Sequence, residues 1–240
     1  MDFLNIDNLS FTDPEDLNQN NLDYISTISD PEVFIGMLDK YISDLSLLKL
    51  VADRSYRHIN HFDKIVLFDN GDPNSFRLTM HLWQPPYTIK EQADEQIHSH
   101  RFSFWSSVLC GTLISEDFEE CESGQPYESY SYCPENKDLK NFYTHEGPVK
   151  LKKTTTVRAE SSTSYFLRNL AIHRIVVPDT DPVVTLVLRS PRVRNHSVVY
   201  NSKYPKNDLS YENSFFSVEE TKEKLTLIKN LLIKRLENSG

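Results

Sequence analysis

Ile97-His98-Ser99-His100-Arg101-Phe102-Ser103-Phe104-Trp105-Ser106-Ser107-Val108-Leu109-Cys110-Gly111 is the stretch on which the fold turns. Read as a strand, one of its faces carries His98, His100, Phe102, Phe104, Ser106, Val108 and Cys110. Two imidazoles are thus followed by a wall of apolar or small side chains and stopped by a glycine, which suits the inside of a barrel. Imidazoles two residues apart on one strand face are also close enough to share a metal ion. On the same phase Arg101 points away from that face. A lone H-x-H also occurs in solvated strands, so the pair needs a third partner. His173, 73 residues after His100, is a single histidine in the apolar run Ala171-Ile172-His173-Arg174-Ile175-Val176-Val177. Alone it reads as a hydrogen-bonded core residue; with the pair it completes a candidate ligand set.

Working outward, the flanking chain reads as β. Lys64–Asp69, Phe76–Trp83, Gly111–Glu116, Val149–Arg158, Ser164–Leu167 and Val183–Arg189 are short β-rich runs separated by turn signals, among them Asn70-Gly71-Asp72-Pro73 and Pro85-Pro86. Many short strands without alternating helices predict a sandwich or barrel. A helix is predicted over 31–52, with Asp30 as N-cap, Pro31 at the first position and an apolar stripe running Val33, Phe34, Met37, Leu38, Tyr41, Ile42, Leu45, Leu48. Another is predicted over 217–237, opened by the Ser217/Glu220 capping box and striped by Leu225, Ile228, Leu231, Leu232 and Leu236. Residues 1–28 read as a loose acidic lead-in, and 117–148, polar and tyrosine-bearing, as a long excursion between strands. The organisation expected is a single structural domain: 1–55 lead-in and N-terminal helix, 56–200 β-barrel, 201–240 linker and C-terminal helix.

Composition excludes several function classes. Six glycines in 240 residues, isolated from one another, build neither glycine-rich phosphate cradle, which sets aside P-loop and dinucleotide enzymes. Of the net charge of −9, residues 1–50 carry −8, from ten acids and two bases, so the remaining chain is nearly neutral. That balance argues against nucleic acid as a partner. The N-terminus lacks a basic and apolar leader and no apolar run approaches bilayer length, so no membrane partner is expected. Three cysteines without C-x-x-C spacing fit reduced thiols and a cytoplasmic location.

The order H-x-H, glycine turn, irregular region, later strand histidine resembles the two-motif pattern of the cupin superfamily. The usual first motif there is H-x-H, three or four residues, Glu, six residues, Gly. His100 to Gly111 has that length, but Phe104 or Trp105 stands in the acidic slot. The resemblance therefore implies a three-histidine site and lies nearest the thiol dioxygenases, above all cysteine dioxygenase. Phe76–Trp83 resembles the strand preceding the first motif, His173-Arg174-Ile175 the second motif, and Thr185-Leu186-Val187-Leu188-Arg189-Ser190-Pro191 the strand that follows. The similarity spans about residues 60–195. It departs from the family where Val187 and Arg189 replace a histidine and a tyrosine of the substrate side, where the cysteine of a thioether cross-link has no counterpart, and where Lys64 falls near the carboxylate-binding arginine. Free cysteine is consequently not the expected substrate.

The resemblance and the residues together imply a mainly β, cupin-type jelly-roll barrel with flanking helices. Its metal would be held by His98, His100 and His173, as Fe2+, or alternatively Zn2+ or another divalent ion. Arg189, in phase with Val187, is the candidate carboxylate anchor or a rim arginine paired with an acid. Arg77 and His81 share a strand face and join Lys64, Phe104 and Tyr165 as candidate substrate contacts, Tyr165 with a core role as the other reading. His58 and His61 read as a solvated pair, and Arg189-x-x-Arg192-x-Arg194 as a surface charge cluster. The expected activity is that of a non-haem iron oxygenase on a small amino-acid-like or thiol-containing substrate with O2, working as monomer or homodimer. A non-oxidative zinc enzyme and a non-enzymatic ligand- or partner-binding module are the alternatives.

Overall fold

The computed structural model describes residues 6, 9–13, 16–72, 75–133, 143–202 and 215–239. Pro73, the centre of the 117–148 segment and most of the linker after residue 201 lie outside the described residues. The elements in chain order are α1 (Gln19–Ile28), α2 (Pro31–Ser43), α3 (Leu45–Ala52), β1 (Tyr56–Arg57), β2 (Asp63–Phe68), β3 (Arg77–Trp83), α4 (Ile89–Ala93), β4 (Ile97–His98), β5 (Phe104–Cys110), β6 (Thr112–Tyr132), β7 (Tyr143–Glu160), β8 (Ser164–Leu167), β9 (Ile172–Val176), β10 (Val183–Arg189), β11 (Ser197–Asn201) and α5 (Val218–Ser239).

The strands form two antiparallel sheets, β1-β2-β3-β10-β5-β8 and β11-β4-β9-β6-β7. The far half of β6 curls back to pair with β11 as well, from Ser197↔Tyr132 to Asn201↔Glu128, which closes the second sheet on itself. The result is the expected jelly-roll barrel with flanking helices.

Helices α1, α2, α3 and α5 cover the outside of the first sheet. Leu78, Met80, Leu82, Leu186 and Leu188 face them, in one apolar cluster with Phe34, Leu38, Leu225 and Ile228. Because helices lie on one side and the barrel on the other, β10 is buried at every position. The alternate residues, facing into the barrel, are of a different kind: Lys64, Arg77, Thr79, His81, Thr185 and Arg189.

Several expectations are corrected. The predicted helix 31–52 is two helices, broken at Asp44, whose backbone is extended and whose carboxylate accepts from Ser46 N at 2.8 Å and Leu47 N at 3.1 Å. An aspartate ahead of an apolar run starts a helix more readily than it sits inside one. Val33, Leu45 and Leu236, counted in the apolar stripes, are exposed. The lead-in contains α1, capped by Asn18 and seated through Ile25 and Ile28. The stretch His98–Cys110 is no single strand: it ends at His98 in one sheet and resumes at Phe104 in the other. Ser103 pins the crossing, accepting from Ser190 N through its carbonyl (2.9 Å) and from Asn169 N through its hydroxyl (3.0 Å). The described parts of 117–148 belong to the β6–β7 ladder, which runs from Thr112↔Glu160 to Tyr132↔Tyr143 with three register shifts.

Gly111 turns the chain from β5 into β6 with φ +79, and a Cβ there would stand 2.5 Å from the Pro182 carbonyl oxygen. Gly111→Ala therefore meets both backbone strain and a clash with main chain that cannot swing aside. A loss of about 2–4 kcal/mol is expected in urea denaturation; an unchanged midpoint would contradict the placement.

Candidate metal centre

His98 and His173 are direct partners in the β4–β9 pairing, so both imidazoles project from the second sheet into the barrel side by side. His100 follows in the crossing segment, fixed by its own N–H donating to Asn169 O at 2.8 Å, while Ser99 N donates to Val198 O at 2.8 Å. Ring centroids stand 4.6 Å apart for His98–His100, 5.0 Å for His98–His173 and 5.1 Å for His100–His173. One ring nitrogen from each histidine lies within 4.8 Å of the others. Among the described residues no carboxylate or thiol joins this group.

The hydrogen bonds around the rings prepare them as ligands. His98 Nδ1 lies 2.6 Å from the Gln96 carbonyl. A carbonyl only accepts, so Nδ1 carries the proton and Nε2 presents its lone pair. Ser115 Oγ lies 3.4 Å from His173 Nδ1, and the two Nε2 atoms of His173 and His100 approach to 2.8 Å. Two nitrogens each about 2.1 Å from a common ion and about 90° apart at it would be about 3 Å from one another. Burial lowers all three pKa values, those of His100 and His173 well below the usual imidazole range. The neighbouring histidines and Lys64 push His100 further down. Neutral and converging, the imidazoles fit a divalent metal.

The candidate ligand set opens onto a partly open cavity of about 420 Å³ between the two sheets. Lys64, Arg77, His81, Phe104, Tyr165 and Arg189 all line it. Their placement follows from strand register. Lys64, His81 and Thr185 form one row across β2, β3 and β10; Arg77, Arg189 and Phe104 form another across β3, β10 and β5. Tyr165 pairs with Ser106 in the row between. Phe104 sets its ring edge-on to His100 at 5.2 Å, whereas Trp105 turns to the outer face, where its indole N–H donates to Leu17 O. The slot that bears Glu in the first cupin motif is thus filled by one aromatic inside and one outside.

Arg189 is buried, donates through Nη2 to Ser75 O at 2.9 Å, and holds its guanidinium 5.1 Å above the Phe102 ring. Burial, with Arg77 and Arg192 nearby, pushes its pKa down to about 9. Arg77 pairs with Asp69. Lys64 stands 5.9 Å from the Tyr56 ring centroid, and its pKa is held well below the usual ammonium range by burial and by the surrounding arginines. At the opposite end Phe62, Trp83, Val108 and Leu113 close the barrel with apolar packing.

Some lining residues were read otherwise from sequence. Arg101, expected to point away, lines the cavity because the strand phase is lost once the chain leaves β4. Arg192 lines it too, so the surface reading of the 189–194 arginines holds only for Arg194, which lies against His196. His58, expected in solvent, stacks on Phe62 at 4.5 Å and accepts from Asn60 N at 3.2 Å; burial lowers its pKa strongly. Tyr56 was missed altogether.

No family model matches the sequence, and no curated protein matches it. Solved structures with partial likeness include a DMSP lyase pair (17% identity, TM-score 0.29, 54% of this chain and 47% of that one). Hydroxypropylphosphonic acid epoxidase from S. wedmorenis follows at 10% identity, TM-score 0.34, with 57% and 56% covered. Protein SO0799 from Shewanella oneidensis has 11% identity, TM-score 0.28, with 82% and 94% covered. The chain spans about half the length of the first two. Likeness at this level assigns neither substrate nor reaction to this chain. What defines the molecule is its own geometry: a jelly-roll barrel in which three neutral imidazoles converge on a cavity lined by cations.

Proposed function

We propose that the chain is a metal-dependent enzyme, a non-haem iron(II) oxygenase acting on a small, acidic, amino-acid-like or thiol-containing metabolite. The observation that carries this reading is the convergence of His98, His100 and His173 at the wall of a cavity between the two sheets. Three neutral ligands would leave a bound divalent ion its full charge and open positions, which supplies Lewis-acid and, for iron, oxygen chemistry. The remaining roles belong to the protein. Arg189, held by Ser75 and Phe102, is the group to orient the anionic group of the substrate, and Arg77 stands beside it. Phe62, Trp83 and Leu113 keep water from the far end. Tyr165, whose pKa burial raises, stays protonated and can donate a hydrogen bond to bound substrate.

Zinc is the second reading, since an all-imidazole set without carboxylate also suits that ion and non-oxidative chemistry. Anaerobic loading with Fe2+, followed by exposure to O2 with a panel of small acids, amines and thiols, tests the first reading. Substrate-dependent oxygen uptake of at least tenfold over protein alone is expected. Full iron binding with no stimulated uptake across the panel would sink the oxygenase reading, and zinc in protein purified from its native source would favour the second.

A further inference from the structure

The inner face of the first sheet carries Lys64, Arg77 and Arg189 among Thr79, His81, Phe104, Ser106 and Val187. Arg77 and Arg189 are direct partners across β3 and β10. Like charges in that position destabilise a sheet, because side chains in directly opposed residues start only about 5 Å apart. Lys64 projects from β2 on the same face, with no carboxylate among the described residues within ion-pairing distance. Among the described residues that line the cavity there is no Asp or Glu. Asp69 answers Arg77 from outside that lining. The side-chain Nε atoms of Arg77 and Arg189 are buried and unpaired. Among the described residues, Lys64, Arg77 and Arg189 meet a single carboxylate, that of Asp69 on Arg77.

We propose that this end of the cavity binds a tetrahedral dianion, a phosphate or phosphonate group carried by the small substrate. The inference deepens the reading of the cavity as a substrate site and specifies the substrate's chemical class. A carboxylate is planar, carries one charge and is largely satisfied by a single guanidinium fork. A terminal phosphate carries about −1.5 to −2 at neutral pH and three acceptor oxygens pointing in different directions. Lys64 and, two inward-facing rows along, Arg77 and Arg189 line one wall of the cavity from the adjacent strands β2, β3 and β10 and can offer donors to such a group from different directions. Arg101 and Arg192 reach the same lining from two loops. These loops are tied together, Val193 N donating to Arg101 O at 2.9 Å. The Phe102 ring, 5.5 Å from His100 and beneath the Arg189 guanidinium, places the anion one aromatic ring away from the metal ligands. The reacting carbon of a short phosphorylated or phosphonylated metabolite would then lie at the histidines.

The test uses the full chain, stripped of metal so that no anion binds through an ion. Calorimetry at constant ionic strength compares inorganic phosphate, methylphosphonate, succinate and acetate. Phosphate and methylphosphonate are expected to bind at least tenfold more tightly than the two carboxylates and to raise the melting temperature. Lys64→Met, which breaks no ion pair, is expected to weaken phosphate binding at least tenfold with an unchanged circular dichroism spectrum. Arg189→Met should do the same, and if it fails to fold, Lys64→Met alone decides. Phosphate no tighter than acetate, preference for succinate, or an unaltered affinity in Lys64→Met would each overturn the proposal. Metal content, measured separately on the loaded protein, tells failure of this inference from failure of the metal reading.

Discussion

His173→Ala is expected to strip the protein of its divalent metal under dialysis that leaves the parent loaded. His173 is buried on β9 directly opposite His98, with its Nε2 against that of His100. Removing it leaves two imidazoles on one short segment and deletes the ligand contributed by β9. Losing a hydrogen-bond partner of a ligand commonly costs 10–100-fold in metal affinity; losing the ligand should cost more than about 100-fold. His98→Ala removes a ring that is only partly buried, so it separates metal loss from a packing defect. Both variants should retain the β-rich circular dichroism of the parent. Metal retained in either at the parental level and affinity would contradict the assignment.

The second large effect is on stability against pH. Burial lowers the pKa of His58, His81, His98, His100 and His173 from an ordinary value of 6.5. Between the folded and unfolded values the unfolded chain binds more protons, so stability rises with pH in that window. The stabilisation is complete above about pH 6.5 and is lost as pH falls below it toward the depressed folded values. Each histidine contributes a slope of up to about 1.4 kcal/mol per pH unit. Two of the five titrating together would already remove about 3 kcal/mol per unit, a large part of the 5–15 kcal/mol typical of a domain. Lys64 has the same sign at higher pH, since its folded pKa is also depressed, so stability should continue to climb on the alkaline side. Urea denaturation of metal-free protein at pH 8, 7, 6 and 5 is expected to show a steep fall below 6.5. A flat profile across that range would mean that the histidines are not buried as described.

Much of the site was legible because strand alternation and motif spacing are local properties of sequence. His98 and His173 meet because each sits in a strand whose phase points inward, and Arg77, His81, Val187 and Arg189 follow from the same rule. His100 shows the limit of that reading. It reaches the cluster not from a strand but from a crossing segment, and the phase that put it beside His98 is the phase that wrongly sent Arg101 outward. What strand periodicity cannot see is which sheet a chain enters next, and there the 99–103 and 190–196 segments add Arg101 and Arg192 to the cavity. His58 and Tyr56 were hidden for a related reason: a two-residue strand has too little length to display a period. The inner half of the β6–β7 ladder was legible as the runs Gly111–Glu116 and Val149–Arg158, but its continuation through 119–126 and 144–150 is mostly exposed, so no apolar alternation marks it. Helix α1 is held largely by Ile25 and Ile28 within a polar sequence, too few apolar residues to show a stripe.

The separation of the barrel interior into two functions follows from the same chemistry. Imidazoles on the second sheet are neutral and suited to a metal; guanidinium and ammonium groups on the first sheet keep other cations away from that end and attract an anion. Both groups cost folding stability, since buried polar side chains must forgo water. Groups perturbed in this way cluster at binding and catalytic sites. X-ray absorption at the metal edge, on protein purified without chelators, tests the central claim most directly. The account predicts one ion per chain with three imidazole nitrogens at about 2.0–2.2 Å, a signal that vanishes in His173→Ala. A protein that takes up no ion at stoichiometric loading, or whose ion keeps its spectrum after that substitution, would contradict it.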